Sequence, residues 1–181
     1  MKLSKKLTAM AMVAVMALGV TACGGSEPAA EDAGKTYIIA TDTTFAPFEF
    51  QNEAGEYVGI DIELLEGIAA DQGFDYELQA LGFSAAVQAL EAGQADGVIA
   101  GMSITEERQQ KFDFSEAYFD SGVVMGIAAD NEEIKSYEDL AGKKVAVKIG
   151  TEGADFAESI KDQYGFETVT FDDSSAMYQD V

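Results

Sequence analysis

Two short stretches of this sequence carry side chains suited to holding a small charged molecule. Gly101 to Thr105 follows an apolar run and opens a predicted helix, so its backbone N–H groups face outward and favour an anion. Arg108 falls in the first turn of that helix. A cation there opposes the helix macrodipole while its side chain leans back toward the N-terminus, so an anion that it binds explains it better than helix stability does. It is the one guanidinium in the chain, and the alternative is a surface Arg paired with one of the 33 acids. Ser103 offers a hydroxyl donor beside it, or is an ordinary polar residue at a helix start. Lys148 lies in the apolar run Val145 to Ile149, where a Lys on the buried side is costly without a partner. Asp42 ends the first β run, where it accepts from an amide or ammonium or merely caps a turn.

Other chemistries are excluded by what is missing. There is no His and a single Cys, Cys23, so Ser-His-Asp and Cys-His machinery and a zinc site of imidazoles or thiolates cannot be built. An intrachain disulfide is excluded as well. The acids outnumber the bases enough to give a net charge of −22, which rules out the basic stripe that nucleic-acid binding needs. With 48% hydrophobic residues the charge belongs to the surface of a folding chain rather than to a disordered one. No stretch has the spacing of an EF-hand calcium loop, and no G-x-x-x-x-G-K phosphate loop occurs.

These candidates need elements to position them, and the hydrophobic pattern supplies strands and helices in alternation. Tyr37 to Thr41 reads as a strand, and Gly59 to Gln72 as a helix with Leu64, Leu65, Ile68 and Ala69 on its apolar face, stopped by Gly73. Asn52 to Tyr57 reads as a turn between two short strands. Tyr76 to Leu81 is a strand, and Phe83, Ala86, Val87 and Leu90 recur at helical spacing before a Gly93 C-cap. Gly97 to Ala100 is a buried strand. The apolar stretch Ser121 to Ala129 is expected to be a connecting strand. A second α/β unit then follows: a short helix over Ser136 to Gly142 with Ser136 and Asp139 at capping-box spacing, a strand over Lys144 to Ile149, a helix over Ala154 to Gln163, a strand over Thr168 to Phe171 and a helix opening at Ser174. The class is α/β with a mainly parallel sheet, so the positions just past Thr41, Leu81 and Ala100 are where a ligand is expected.

The N-terminus has a different character. Lys2, Lys5 and Lys6 precede an uncharged apolar run, Leu7 to Leu18, which is shorter than the ~20 residues of a membrane-spanning helix. That is the layout of a secretory signal over residues 1–22. Val20-Thr21-Ala22-Cys23 resembles the bacterial lipobox, which implies a mature chain starting at a lipidated Cys23. Residues 23–35, rich in Gly, Ser, Pro, Ala and acids, read as a flexible tether.

Four segments carry a family resemblance: Thr41 to Phe50 (Thr-Asp-Thr-Thr-Phe-Ala-Pro-Phe-Glu-Phe), Val58 to Asp61, Ala100 to Arg108, and Phe112 to Ser115. In order and spacing the chain from Tyr37 onward resembles the amino-acid-binding proteins of bacterial ABC importers, with the glutamine-binding branch closest. The resemblance implies a two-lobed periplasmic-binding-protein type 2 fold, with residues 36–120 as lobe 1 and 121–181 as a hinge strand and an incomplete lobe 2. The chain is expected to be truncated, because one and a half βα units leave a sheet face and edge uncovered. It also implies that Arg108, Ser103 and the backbone of Thr151 hold the ligand carboxylate, with Asp42, Phe45, Phe83, Ala100, Gly101 and Lys148 as the rest of the pocket. Phe45 and Phe83 would sandwich the ligand's aliphatic part, although Phe83 equally fits its helix's apolar face. Lys148 would meet a ligand oxygen, as in the glutamine-binding branch. Glu152 departs from the family's usual Gly-Thr-Gly or Gly-Thr-Thr loop, and an acid there could favour a cationic ligand. The family's ammonium-binding Asp lies beyond the part present.

The expected function is therefore capture of a polar amino acid, glutamine or similar, outside the cytoplasmic membrane. A membrane permease and an ATPase would be the partners, with a lipid anchor, no cofactor, no nucleic acid and a monomeric state. Two alternatives stay open. One is a dehydratase or other lyase on the same fold, with Asp42 or Glu152 as proton donor, and the other is the ligand-binding lobe of a membrane sensor.

Overall fold

The computed structural model describes residues 34–181, so the signal segment, Cys23 and most of the tether lie outside the described residues. In chain order the elements are β1 (Thr36–Thr41), β2 (Thr44–Phe45), β3 (Glu49–Gln51), β4 (Tyr57–Val58), α1 (Ile60–Gln72), β5 (Asp75–Ala80), α2 (Phe83–Glu91), β6 (Gly97–Val98) and α3 (Glu106–Gln109). A 3₁₀ turn (Tyr137–Leu140), β7 (Lys144–Lys148), α4 (Glu152–Tyr164), β8 (Glu167–Phe171) and α5 (Ser174–Asp180) follow.

The first sheet is parallel with order β5-β1-β6, and Ile39 pairs with Leu78 on one side and Gly97 on the other. Parallel strands need crossovers, and α1 and α2 supply them. Ala40, Ala86, Ala89 and Ala95 form the small-residue core between the sheet and α2, with Ile38 and Val98 against it. A second parallel pair, β7-β8, is covered by α4 and the 3₁₀ turn through Leu140, Val147, Ala154, Ala157 and Phe166. The two sheets thus repeat one logic, a strand followed by a helix that returns over it.

Between β1 and α1 the chain makes an antiparallel meander, β2-β3-β4. Asn52 closes its second turn by accepting from the N–H groups of Ala54 and Glu56, which is the local bonding that suits Asn to turns. Gly59 then starts α1 at φ +125°, and a Cβ there would lie 2.2 Å from the Phe48 carbonyl oxygen. No other residue fits that approach. Ile60 and Asp61 donate their N–H groups to the Pro47 and Phe48 carbonyls, so the start of α1 is fastened to the meander.

Several sequence expectations are corrected. The face of α1 that is buried is Asp61, Ile62, Leu65 and Ala69, while Ile68 is exposed, because the helix packs one position earlier in its turn than the apolar count suggests. The C-cap of α2 is Ala92 and not Gly93, which lies one residue beyond at φ +67°. Ser121 to Ala129 forms no strand among the described residues, and Val124 is 88% exposed: an apolar run becomes a strand only where a neighbouring strand takes its N–H and C=O groups. The helix expected after Thr105 is a single turn, α3, so Arg108 stands in its first and last turn at once. Four residues make no useful dipole, so Arg108 does not oppose one there. The capping box at Ser136 and Asp139 is present as read, with the Asp139 carboxylate held below its usual range chiefly by the Lys135 N–H.

Candidate ligand site

The C-terminal ends of β1, β5, β6 and β7 bring the candidate residues into one place. Asp42, directly after β1, is 1% exposed, and its Oδ1 accepts from the N–H of Thr43 at 2.7 Å and of Phe83 at 3.1 Å. Its Oδ2 takes a short ion pair from Lys148 Nζ, at the last position of β7. Lys148 also donates to Ser174 Oγ at 3.3 Å, just inside α5. The side chain that needed a partner has therefore found it in this chain. Asp42 and Lys148 form one buried ion pair, a partnership that the sequence does not reveal.

Arg108 spans the gap between two loops. Its guanidinium donates to the Ser103 carbonyl and to the Gly150 carbonyl, each at 3.0 Å, and stands 5.7 Å over the Phe83 ring. Thr105 caps the turn beneath it by accepting the Arg108 N–H at 3.2 Å. Both carbonyls are neutral acceptors, and a guanidinium is most strongly satisfied by a carboxylate that takes both arms of its fork. Ser103 enters this arrangement through its carbonyl.

The aromatic residues divide. Phe83 is 6% exposed and belongs to the core of α2 as much as to the cleft, while Phe45 is half-buried and stacks on Phe48 with centroids 5.1 Å apart. Gly101 sits at φ +52°, where a Cβ would fall 2.7 Å from the Phe45 ring, so a bare backbone is needed for the loop to lie against that ring. Ala100 is buried at 2% and can offer only backbone to anything bound.

Two of the backbone N–H groups expected to face an anion have acceptors within this chain. The Gly101 N–H is taken by Asp61 Oδ2 at 2.6 Å, and the Thr151 N–H makes a long 3.4 Å bond to the Lys148 carbonyl. Thr151 is the N-cap of α4, its Oγ1 accepting from Ala154 N at 3.3 Å. Glu152 is the first residue of that helix, a position where a carboxylate is favoured by the exposed N–H groups whatever the ligand.

Sequence reasoning missed three residues beneath the site, Glu49, Asp61 and Tyr118. Glu49, Asp61 and Asp42 are, with Thr41, the largest completely enclosed side chains among the described residues. Asp61 Oδ1 accepts from the Tyr118 hydroxyl at 2.8 Å, and neither oxygen of Glu49 has a donor. Burial, reinforced by the neighbouring Asp61 and Asp42 charges and only partly offset by Lys148, pushes the Glu49 carboxyl up to about 10. Tyr118 is pushed up too, first by burial and then by its bond to Asp61, so its hydroxyl stays a donor. A signal existed: Phe48-Glu49-Phe50 and Ile60-Asp61-Ile62 each set an acid between large apolar residues. Among the described residues no group of three or more Asp, Glu or Cys side chains is arranged to hold a metal ion.

Comparison with known proteins places the chain in a family. Residues 37–163 match the family model of bacterial extracellular solute-binding proteins, family 3. The arginine-binding extracellular protein ArtP of Bacillus subtilis (strain 168) is 31% identical over 177 residues, covering 98% of this chain and 69% of that protein. An ancestral arginine-binding protein is similar in structure both in its arginine complex (39% identity, TM-score 0.76) and in its glutamine complex (40%, 0.72); each match covers 80% of this chain and 64% of the other. The ancestral amino acid-binding protein AncCDT-1, a precursor of cyclohexadienyl dehydratase, matches at 34% identity with a TM-score of 0.70, over 81% of this chain and 65% of its own. The chain thus spans about two thirds of the length of the proteins it matches. Its α/β architecture is that of the type 2 periplasmic binding proteins, and the chain belongs to the bacterial extracellular solute-binding proteins of family 3.

Proposed function

We propose that this protein captures a polar α-amino acid outside the cytoplasmic membrane and delivers it to the permease and ATPase of an ABC importer, as a monomeric binding protein and not as an enzyme. The observation that carries the reading is the Arg108 guanidinium held across the cleft by two neutral carbonyls, those of Ser103 and Gly150. An α-carboxylate entering there exchanges two neutral acceptors for one anion and draws both loops onto itself, with Phe45 and Phe83 flanking the ligand's carbon chain. In this reading residues 36–120 form one lobe and the chain from 121 onward reaches a second.

The Asp42–Lys148 pair supports a neutral amide ligand over a cationic one. An amide presents one acceptor and two donors, so it can accept from Lys148 and donate to Asp42 at once. A guanidinium offers donors only and meets Lys148 as a like charge. Glu152 has a sufficient reason in the start of α4 and need not be read as a cation site. Calorimetric titration of the full-length gene product with the twenty amino acids is expected to place glutamine first, with arginine at least about tenfold weaker. The reverse order would overturn the specificity, and no binding by any amino acid would overturn the function.

The lyase alternative gains little support. Of the acids read as proton donors, Asp42 is enclosed and committed to Lys148, and Glu152 opens α4.

The signal over residues 1–22 and the lipobox-like Val20 to Cys23 support anchoring through a lipidated Cys23, with two acyl chains giving stable attachment where one is marginal. Cys23→Ser is expected to move the protein from the detergent phase to the aqueous phase without changing ligand affinity. A wild-type protein found wholly in the aqueous phase, with an unmodified N-terminus by mass spectrometry, would show an ordinary secretion signal instead.

A further inference from the structure

The ligand loop that starts at Gly101 rests on a single enclosed anion. Asp61, at the second position of α1, spends Oδ2 on the Gly101 N–H at 2.6 Å and Oδ1 on the Tyr118 hydroxyl at 2.8 Å. It thereby ties the start of α1 to the loop after β6 and to the segment that follows Ser115. Two donors suit an ionised carboxylate, which accepts only. A second acid then stands where no second anion can: Glu49 on β3 is fully enclosed, has no donor for either oxygen, and lies within hydrogen-bonding reach of Asp61. The charged and titratable groups facing it are Asp61 from α1, Asp42 from the end of β1, Lys148 from β7 and, next to Asp61, Tyr118 from the connecting segment. Lys148 is already neutralised by Asp42.

We propose that Asp61 is the positioning residue of the ligand loop, and that Glu49 is a proton-bearing acid whose O–H donates to Asp61 and lets it remain an anion in a sealed interior. Two carboxylates sharing such a space keep one proton between them. With the proton on Glu49, each group gains a partner: Glu49 becomes a donor, and Asp61 accepts three hydrogen bonds from three separate segments. With the proton lost, two like charges press against each other under the loop that the ligand must meet. The sign of the pH dependence follows. Glu49 is a carboxyl whose folded-state value, about 10, lies above its ordinary 4.5. The folded protein therefore holds a proton that the unfolded chain releases, and the stability this proton contributes declines as pH rises through that window.

The proposal that Asp61 positions the loop rests on the ligand-site reading above; the protonation of Glu49 does not. The test uses the full chain. In infrared spectra at pH 8, where exposed acids are ionised, the wild type is expected to show a carboxylic-acid C=O band that shifts on selective ¹³C labelling of glutamate and is lost in Glu49→Gln. Glu49→Gln, which keeps a donor toward Asp61, should bind amino acid within about threefold of wild type. The folding equilibrium constant of the wild type should fall relative to that variant by up to about tenfold per pH unit between pH 5 and 9. Absence of the band, or parallel pH profiles, would overturn the protonated Glu49. Asp61→Asn should lose at least tenfold in affinity. Should that variant fail to fold, the wild-type Gly101 amide decides: a downfield, exchange-protected proton in NMR supports the anchor, and a freely exchanging one overturns it. A protein that binds no amino acid but shows the band and the protected amide would lose the ligand-site reading and keep the carboxyl pair.

Discussion

Arg108→Ala is expected to lower amino-acid affinity at least about 100-fold, and Arg108→Lys to recover only a small part of that loss. A desolvated, charge-assisted bidentate contact is worth roughly 3 kcal/mol, which is about two decades in affinity. Lysine keeps the charge but presents a point donor, so it cannot take two carboxylate oxygens in parallel while standing over the Phe83 ring. The folded state should be almost indifferent to either change. Without ligand the guanidinium serves only the Ser103 and Gly150 carbonyls in a half-exposed setting, where water replaces it readily. Calorimetric titration beside a thermal melt separates the two effects: a variant that melts within a few degrees of wild type yet binds as tightly would remove Arg108 from the site.

How far the sequence reveals such a site depends on the range over which each signal acts. β1, α1, β5, α4 and β8 were legible within a residue or two, because period-2 and period-3.6 patterns are local and run for five residues or more. The meander was only half legible. β2 and β4 have two residues each and β3 has three, too few to show any period, and what betrayed them was the Asn52 turn. Ser121 to Ala129 failed for the opposite reason, since its composition suits a strand but a strand is a property of two segments. The same division runs through the site. Arg108, Asp42 and Lys148 were recognisable because their types are unusual for their surroundings. That Asp42 and Lys148 serve each other across 106 residues was not, because partnership at that distance leaves no trace in local pattern. Asp61 was masked by a sufficient ordinary reason, an acid in the first turn of a helix. Its enclosure and its grip on Gly101 depend on the meander, which the sequence showed least clearly.

Lys148→Ala is expected to destabilise the protein by about 3 to 5 kcal/mol, the cost of leaving one member of a buried ion pair without the other. Asp42, at 1% exposure, would retain the N–H donors of Thr43 and Phe83 but lose its ion-pair partner, with the Glu49 and Asp61 side chains nearby. For a chain of this size that is a drop in melting temperature of roughly 10 °C or more. Asp42→Asn should be costly as well, since it leaves a Lys that is 6% exposed with neutral acceptors only. The double variant Asp42→Asn/Lys148→Met removes both charges and keeps much of the volume, so it should recover most of the stability lost by either single change. Added salt should not alter the coupling, because a sealed pair is screened far less than a surface one. Two single variants that each cost under 1 kcal/mol and add without coupling would mean that the pair is solvated and structurally idle. Recovery of folding should not bring recovery of binding. The double variant presents an amide and a thioether where the wild type offers an anion and a cation, so it should hold the α-carboxylate through Arg108 yet lose its preference among side chains. Stability restored with selectivity lost would separate the two roles of the pair: one charge makes the other tolerable in the interior, and in the proposed site the pair meets the ligand's side chain.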